Sequence, residues 1–262
     1  MGHRPVPTRR ERQREATYRE IVDCSCDLLR EGADLSLRAV AARMGVTAPA
    51  LYRYVASYQE LVDLVAFEVD KAATAGFAAA ADRLPDDDLA GRLVVASTAF
   101  RQWALASPRE FGLVFANPVA DTTCGHRQEM LTLSSSGMLM TDLMRRIWER
   151  DRFPIPAVDD LTPAGREAVL DPLVPAETDG IAPEDRGLVW VFMQGWTTLY
   201  GAVTLEVFGH LDPRLTASGD MFVDAVRRFA PVMGLAEDMD RLEGLIRDQL
   251  ARPFEPVAAT AR

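Results

Sequence analysis

Residues Leu35 to Leu61 read LSLRAVAARMGVTAPALYRYVASYQEL, and the reading of this stretch decides the fold. Ser36 is a good N-cap, because its hydroxyl can accept from an unpaired amide of the first helical turn. Leu37, Val40, Ala41 and Met44 then recur at the 3–4 residue spacing of a short amphipathic helix. Gly45 can adopt the left-handed conformation that ends a helix, which residues with a Cβ resist. Val46 is expected to plug the core at the turn, and Thr47 to cap a second helix over Ala48 to about Tyr54. That helix would bury Leu51 and Val55, with Pro49 in its first turn, where a missing N–H costs little. Ser57 and Glu60 make an S-x-x-E capping box, the start signal of a third helix. Helix, turn, helix and a third helix in this order have the geometry of a head that enters the DNA major groove.

The chemistry of the outer face agrees. Thr47, Ala48, Pro49, Tyr52, Arg53 and Tyr54 should face outward, a cationic and aromatic surface where a merely solvated helix would show Lys and Glu. The whole chain carries a formal charge of −10, which on its own argues against a nucleic-acid partner. The distribution reverses the argument for one end. Residues 1–58 hold ten arginines against seven acidic residues, so the remainder is strongly acidic. A mildly basic head on an acidic body grips a duplex with one end and is repelled elsewhere.

Ala41 to Val55, as A-x-x-M-G-V-T-x-x-A-L-Y-R-Y-V, with the E-L-V run at Glu60 to Val62, resembles the N-terminal domain of the TetR family of transcriptional repressors. The resemblance implies an all-α protein, with an N-terminal three-helix DNA-binding domain and a larger helical ligand-binding and dimerisation domain. It also implies that Arg53 meets a base edge, while Arg38, Thr47, Tyr52, Tyr54 and Tyr58 hold phosphates. Tyr58 stands where many relatives carry a lysine, so that phosphate contact loses its charge.

The rest of the chain reads as helices. A flexible arm at 1–9 precedes helix one, about Arg10 to Glu31, with Ile21, Leu28 and Leu29 inward. Residues 1–56 form the expected DNA-binding domain and 57–262 the ligand domain. The helix opening at Ser57 continues to Ala81, and Pro85 stops it. Helices follow to about Ala106, from Ser107, and over a Met-rich stretch, about Gln128 to Arg150. Residues 151–183 hold six prolines and many acids, so a long, partly disordered loop is expected there. Two long helices, about Pro183–His210 and Thr216–Met233, and a last one over Glu237–Leu250 precede a tail at 252–262.

Two further blocks, WALASPREFGLVFANPV at Trp103 to Val119 and WTTLYGAVTLEVFGHL at Trp196 to Leu211, resemble a TetR subgroup known by a Trp-His-Gly pattern. Tyr200 stands at the histidine, giving a phenol donor and acceptor instead. Trp103, Phe111, Phe115, Met138, Met144, Trp148, Met193, Trp196 and Tyr200 are the candidate effector contacts. Each taken singly reads as core, but the mixture of methionine and large rings suits a cavity for an apolar or aromatic guest. Gly195, Gly201, Ala202 and Gly209, with Ala217, Gly219 and Ala225, allow close helix approach. Within one chain they admit bulky neighbours; under the resemblance they serve a four-helix dimer interface.

No G-x-S-x-G, G-x-G-x-x-G, Walker or H-E-x-x-H motif occurs, so no catalytic site, metal or cofactor is expected. Cys124, His126 and Glu129 form a metal-like cluster, although a solvated loop explains them better. Glu206 and His210 are one helical turn apart and read as an i,i+4 pair. Three cysteines form no disulfide framework, and neither a membrane span nor an apolar leader is visible. The expectation is a cytoplasmic homodimer that binds a palindromic operator in double-stranded DNA and is released by a small-molecule effector. The competing class is a ligand-binding or interaction protein with a vestigial head.

Overall fold

The computed structural model describes residues 8–116, 135–173, 176 and 178–253. Among them there is no strand, and the α-helices are α1 (Arg9–Arg30), α2 (Leu37–Arg43), α3 (Ala48–Leu51), α4 (Tyr58–Ala81), α5 (Leu89–Ala106), α6 (Pro108–Phe115), α7 (Ser135–Asp151), α8 (Pro163–Leu170), α9 (Gly187–Val207), α10 (Pro213–Ser218), α11 (Asp220–Phe229) and α12 (Met239–Leu250). The all-α class expected from the sequence is the one observed. The described residues fall into two compact units, one of 8–69 with 109–116, the other of 70–108 with 135–253.

In the first unit α2 packs on α1 and on α3. The core is Ile21, Leu28 and Leu29 of α1, Leu37 and Val40 of α2, then Leu51, Val55, Leu61 and Val65. These are the apolar positions that the 3–4 residue spacing selects. Thr8 opens α1 with a reciprocal capping box to Glu11. Ser36 caps α2 by accepting from Ala39 N–H at 3.1 Å. The α2 C-terminus is a Schellman motif: Gly45 has φ +69°, and Val46 N–H donates to Ala41 C=O at 2.9 Å. This turn carries the Val46 side chain outward, 42% exposed, so Val46 does not plug the core as its apolar character suggests.

The second unit is built around α5. Its apolar residues lie all round rather than on one stripe, as befits a helix packed on every side. It runs along α12 and α7, while α9 packs on α11. An aromatic chain joins the layers: Phe77 meets Phe100 edge-on at 5.7 Å, and Phe100 meets Trp196 at 5.9 Å. Trp196 then stacks on Tyr200 at 5.4 Å. No helix among the described residues is long and apolar enough to cross a membrane.

Four expectations are corrected here. The second helix of the reading motif ends at Leu51, and Tyr52–Tyr54 form a turn closed by Tyr54 N–H to Leu51 C=O at 2.9 Å. The supposed loop 151–183 contains α8, started by Thr162 accepting from Gly165 N–H with Pro163 at N1. Pro163 and Pro183 each open a helical turn there. The helix expected over Thr216–Met233 is broken at Gly219, whose φ is +71° and where a Cβ would stand 2.9 Å from Leu250 Cδ1. Of the arm expected at 1–9, Thr8 and Arg9 instead open α1, while residues 1–7, the opening of the Met-rich helix at 128–134, the Cys124–His126–Glu129 cluster and residues 254–262 lie outside the described residues.

Candidate functional site

The reading motif presents a surface assembled from a short helix and the turns flanking it. Thr47, Pro49, Tyr52, Arg53 and Tyr58 are exposed, Tyr52 by 52%, as is Arg38 on α2. Thr47 sits at the N-cap of α3 but makes no side-chain cap bond, which corrects its expected capping role and leaves the hydroxyl outside the helix's own accounting. Arginines in this unit divide into two groups. Arg43 is held by Glu31, and Arg30 by Asp27 and Glu110. Arg38 and Arg53 form no ion pair or side-chain hydrogen bond among the described residues. A guanidinium without an internal carboxylate keeps its five donors for an outside acceptor.

Tyr54 departs from the expected outward face. It is half-buried, its ring meets Tyr18 edge-on at 5.8 Å, and its carbonyl accepts from the Tyr18 hydroxyl at 3.0 Å. Arg14 in turn donates to that hydroxyl at 3.1 Å, a bond that raises the Arg14 guanidinium pKa further. Tyr18 thus ties the end of the reading turn to α1, a role with no local sequence signal because the partners are 36 residues apart.

The second unit holds a partly open cavity of about 480 Å³. Its described walls include Met140, Met144, Met193 and Met233, together with the rings of Phe192, Trp196, Phe222 and Phe229. None of the described side chains that line it is charged. Of the candidate effector contacts, Met144, Met193 and Trp196 line it. Trp103 packs on Phe77 and Phe100, Trp148 lies under Arg152 at 4.1 Å, and Tyr200 backs Trp196 from behind. Met138 is half-buried on α7 beside the lining residues Gly137 and Met140 without lining the cavity itself. Phe111 and Phe115 pair at 5.3 Å in the other compact unit, so they do not join the cavity. The sequence reading missed the α11 side, Phe222 and Phe229. Their i and i+7 spacing on an amphipathic helix was visible but reads equally as core.

One buried ion pair braces this wall. Arg101 of α5 donates from Nε to Glu206 Oε2 at 2.6 Å and from Nη2 to Oε1 at 3.0 Å, with the two side chains 5% and 0% exposed. The guanidinium also lies 5.7 Å from the Phe222 ring centre. Burial pushes the Glu206 carboxyl pKa up, while Arg101 pulls it down. Glu206 therefore does not pair with His210, which is exposed; a buried carboxylate takes the buried cation instead.

The C-terminal domain model described as tetracyclin repressor-like matches residues 93–229, more than half of the chain. The chain belongs to the TetR family. HTH-type transcriptional regulators of Mycobacterium tuberculosis (Rv1816) and Mycobacterium bovis (Mb1846) are each 28% identical over 206 residues, spanning 75% of this chain and 82% of theirs. The crystal structure of a regulatory protein, SCO4313, shares the fold with a TM-score of 0.53 at 23% identity, over 94% of this chain and 100% of that one. This TetR-family chain is accordingly a DNA-binding transcriptional regulator, and the unit that holds the cavity carries most of the matched C-terminal domain.

Proposed function

We propose that the protein is a homodimeric repressor whose two heads read a palindromic operator and whose cavity takes a small apolar effector that releases the DNA. The observation that carries this is the pairing, in one chain, of an arginine-and-tyrosine reading surface with a cavity whose described walls are rich in methionine and aromatic rings. Arg53 is the base-reading residue in this account, bonding a guanine edge in bidentate fashion. Arg38, Thr47, Tyr52 and Tyr58 hold phosphates and fix register, Ala48 and Pro49 lie against the groove wall, and Tyr54 is set by Tyr18. The domain division proposed is a reading head over 1–56 and a ligand domain over 57–262.

A dimer is supported by exposed apolar side chains in the last third of the chain: Leu205 on α9, Leu215 on α10 and Met221 on α11. One head also makes too few base contacts to select one site in a genome, whereas two heads 34–36 Å apart read two half-sites.

The structure suggests a route from cavity to α4. The Asp70 carboxylate of α4 accepts from Ser135 N–H at 2.7 Å and from Ser136 N–H at 3.3 Å, so it holds the N-terminus of α7. The same helix carries Met140, Thr141 and Met144 into the cavity wall. An effector that shifts α7 acts on α4 through this bond, and α4 begins at the reading motif. The coupling is limited by how differently the effector binds the two states.

The test is fluorescence anisotropy against labelled DNA from upstream of the protein's own gene, at two salt concentrations with unlabelled competitor. Binding that survives competitor supports the reading. If neither this DNA nor any sequence enriched from a random pool is preferred, the head is vestigial and the competing ligand-binding class takes its place.

A further inference from the structure

Gly195 lies in the middle of α9 and lines the cavity together with Phe192, Trp196 and Leu199 of the same helix. Positions 192, 195, 196 and 199 follow the spacing of a single helical face, so one residue without a side chain stands among three large apolar ones. Glycine inside a helix is destabilising relative to alanine, because it gives up more backbone freedom on folding. A positive φ is the usual reason to accept that loss, as at Gly45 and Gly219, whereas Gly195 sits in helical backbone without one.

What the missing side chain provides is room. A Cβ at 195 would stand 3.1 Å from Phe229 Cε1 and 3.2 Å from Met144 Cε, closer than carbon atoms pack at ordinary contact. The end of one side chain from α7 and the edge of one ring from α11 therefore use the space beside the Gly195 Cα. Both residues also line the cavity. A methionine side chain turns about three bonds and adapts to the gap it is given, and Phe229 is only half-buried. Each is drawn back onto α9 because residue 195 has no Cβ. A methyl there takes up that room itself and pushes both neighbours at the cavity wall.

We infer that Gly195 sets the breadth of the guest that the cavity accepts, by keeping Met144 and Phe229 back from the space that a second fused ring would occupy. This rests on the reading of the cavity as the effector site. A narrow guest, one benzene ring with a flexible chain, has no need of that room; a flat two-ring guest does.

The experiment measures two neutral probes of similar size but different breadth, 4-propylphenol and 2-naphthol, by calorimetry on the full-length protein. Gly195→Ala should weaken 2-naphthol about tenfold, the effect of an overpacked contact, and 4-propylphenol by less than about threefold. Gly244→Ala is the control. Gly244 is an exposed position in α12 with no described atom within 4 Å of an added Cβ, so this variant makes the same exchange within a helix and should change neither probe. Adding Met144→Ala to Gly195→Ala removes one of the two opposing side chains and should return 2-naphthol to within about threefold of the parent. Equal effects of Gly195→Ala on both probes, or no rescue by Met144→Ala, would overturn the role of Gly195 while leaving the cavity as the guest site. Met144→Trp, which fills the cavity, should abolish binding of both probes. Failure of both probes with the parent protein, or binding undiminished in Met144→Trp, would remove the cavity from the account and the inference with it.

Discussion

Replacing Glu206 by Gln would leave the Arg101 guanidinium enclosed without a counter-charge. Both charge-assisted bonds run at hydrogen-bonding distance between side chains almost wholly shielded from water, and Thr216 C=O is the remaining acceptor on Arg101. Two unit charges about 4 Å apart attract by roughly 4 kcal/mol at an effective dielectric of 20. Breaking one side of such a pair typically costs about 3–5 kcal/mol. That is a large part of the ~5–15 kcal/mol that stabilises a domain. All four tryptophans, at 103, 148, 190 and 196, lie in the unit that contains the pair, so tryptophan fluorescence in urea reports its unfolding. With a denaturant slope of about 2 kcal/mol/M, the midpoint should fall by roughly 2 M. The Arg101→Met, Glu206→Leu double variant should recover to within about 1 kcal/mol of the parent, because two apolar side chains need no pairing. Cavity-ligand affinity should drop in the single variant, since the guanidinium beside Phe222 loses the carboxylate that anchors it. A double variant as unstable as the sum of the singles would refute the claim that the two charges matter chiefly to each other.

Arg53→Ala should cost about 1–3 kcal/mol on the operator and relax preference at one base pair, read by binding to a panel of single-base operator variants; unchanged preference would remove Arg53 from the base-reading role. Tyr18→Phe deletes only the hydroxyl that holds Tyr54 C=O, so DNA affinity should fall by about 0.5–1.5 kcal/mol in anisotropy titrations, with the slope against salt unchanged. A reduced slope would mean that the hydroxyl serves chiefly to hold Arg14 on a phosphate. Asp70→Asn weakens the charge at the α7 N-terminus, and should leave DNA and effector binding each within a few-fold while reducing the effect of one on the other. Intact coupling in that variant would place the route elsewhere.

The head was legible because its signals are local. Ser36, Gly45 and the spacing of Leu37, Val40 and Leu51 each act within one or two helical turns, and the structure uses them as read. Val46 and Tyr54 escaped because their exposure depends on the hand of one turn and on a tyrosine far back on α1. The cavity was legible only in kind. Methionine and tryptophan announced a space for apolar guests, but which of them line it depends on how α5, α7, α9 and α11 face one another, and no period within one helix records that. Arg101 on the central helix was a readable oddity, a charge amid apolar neighbours, yet its partner lies 105 positions away. The Trp-His-Gly subgroup assignment rests on sequence alone.

The central claim is that occupation of the cavity governs the grip of the head on DNA. It is tested most directly by titrating the protein into labelled operator duplex, free and saturated with a ligand whose binding is abolished by Met144→Trp. The account expects at least fivefold weaker DNA binding by the liganded protein, and no ligand effect in the Met144→Trp variant. Equal operator affinity with the cavity filled and empty would contradict it.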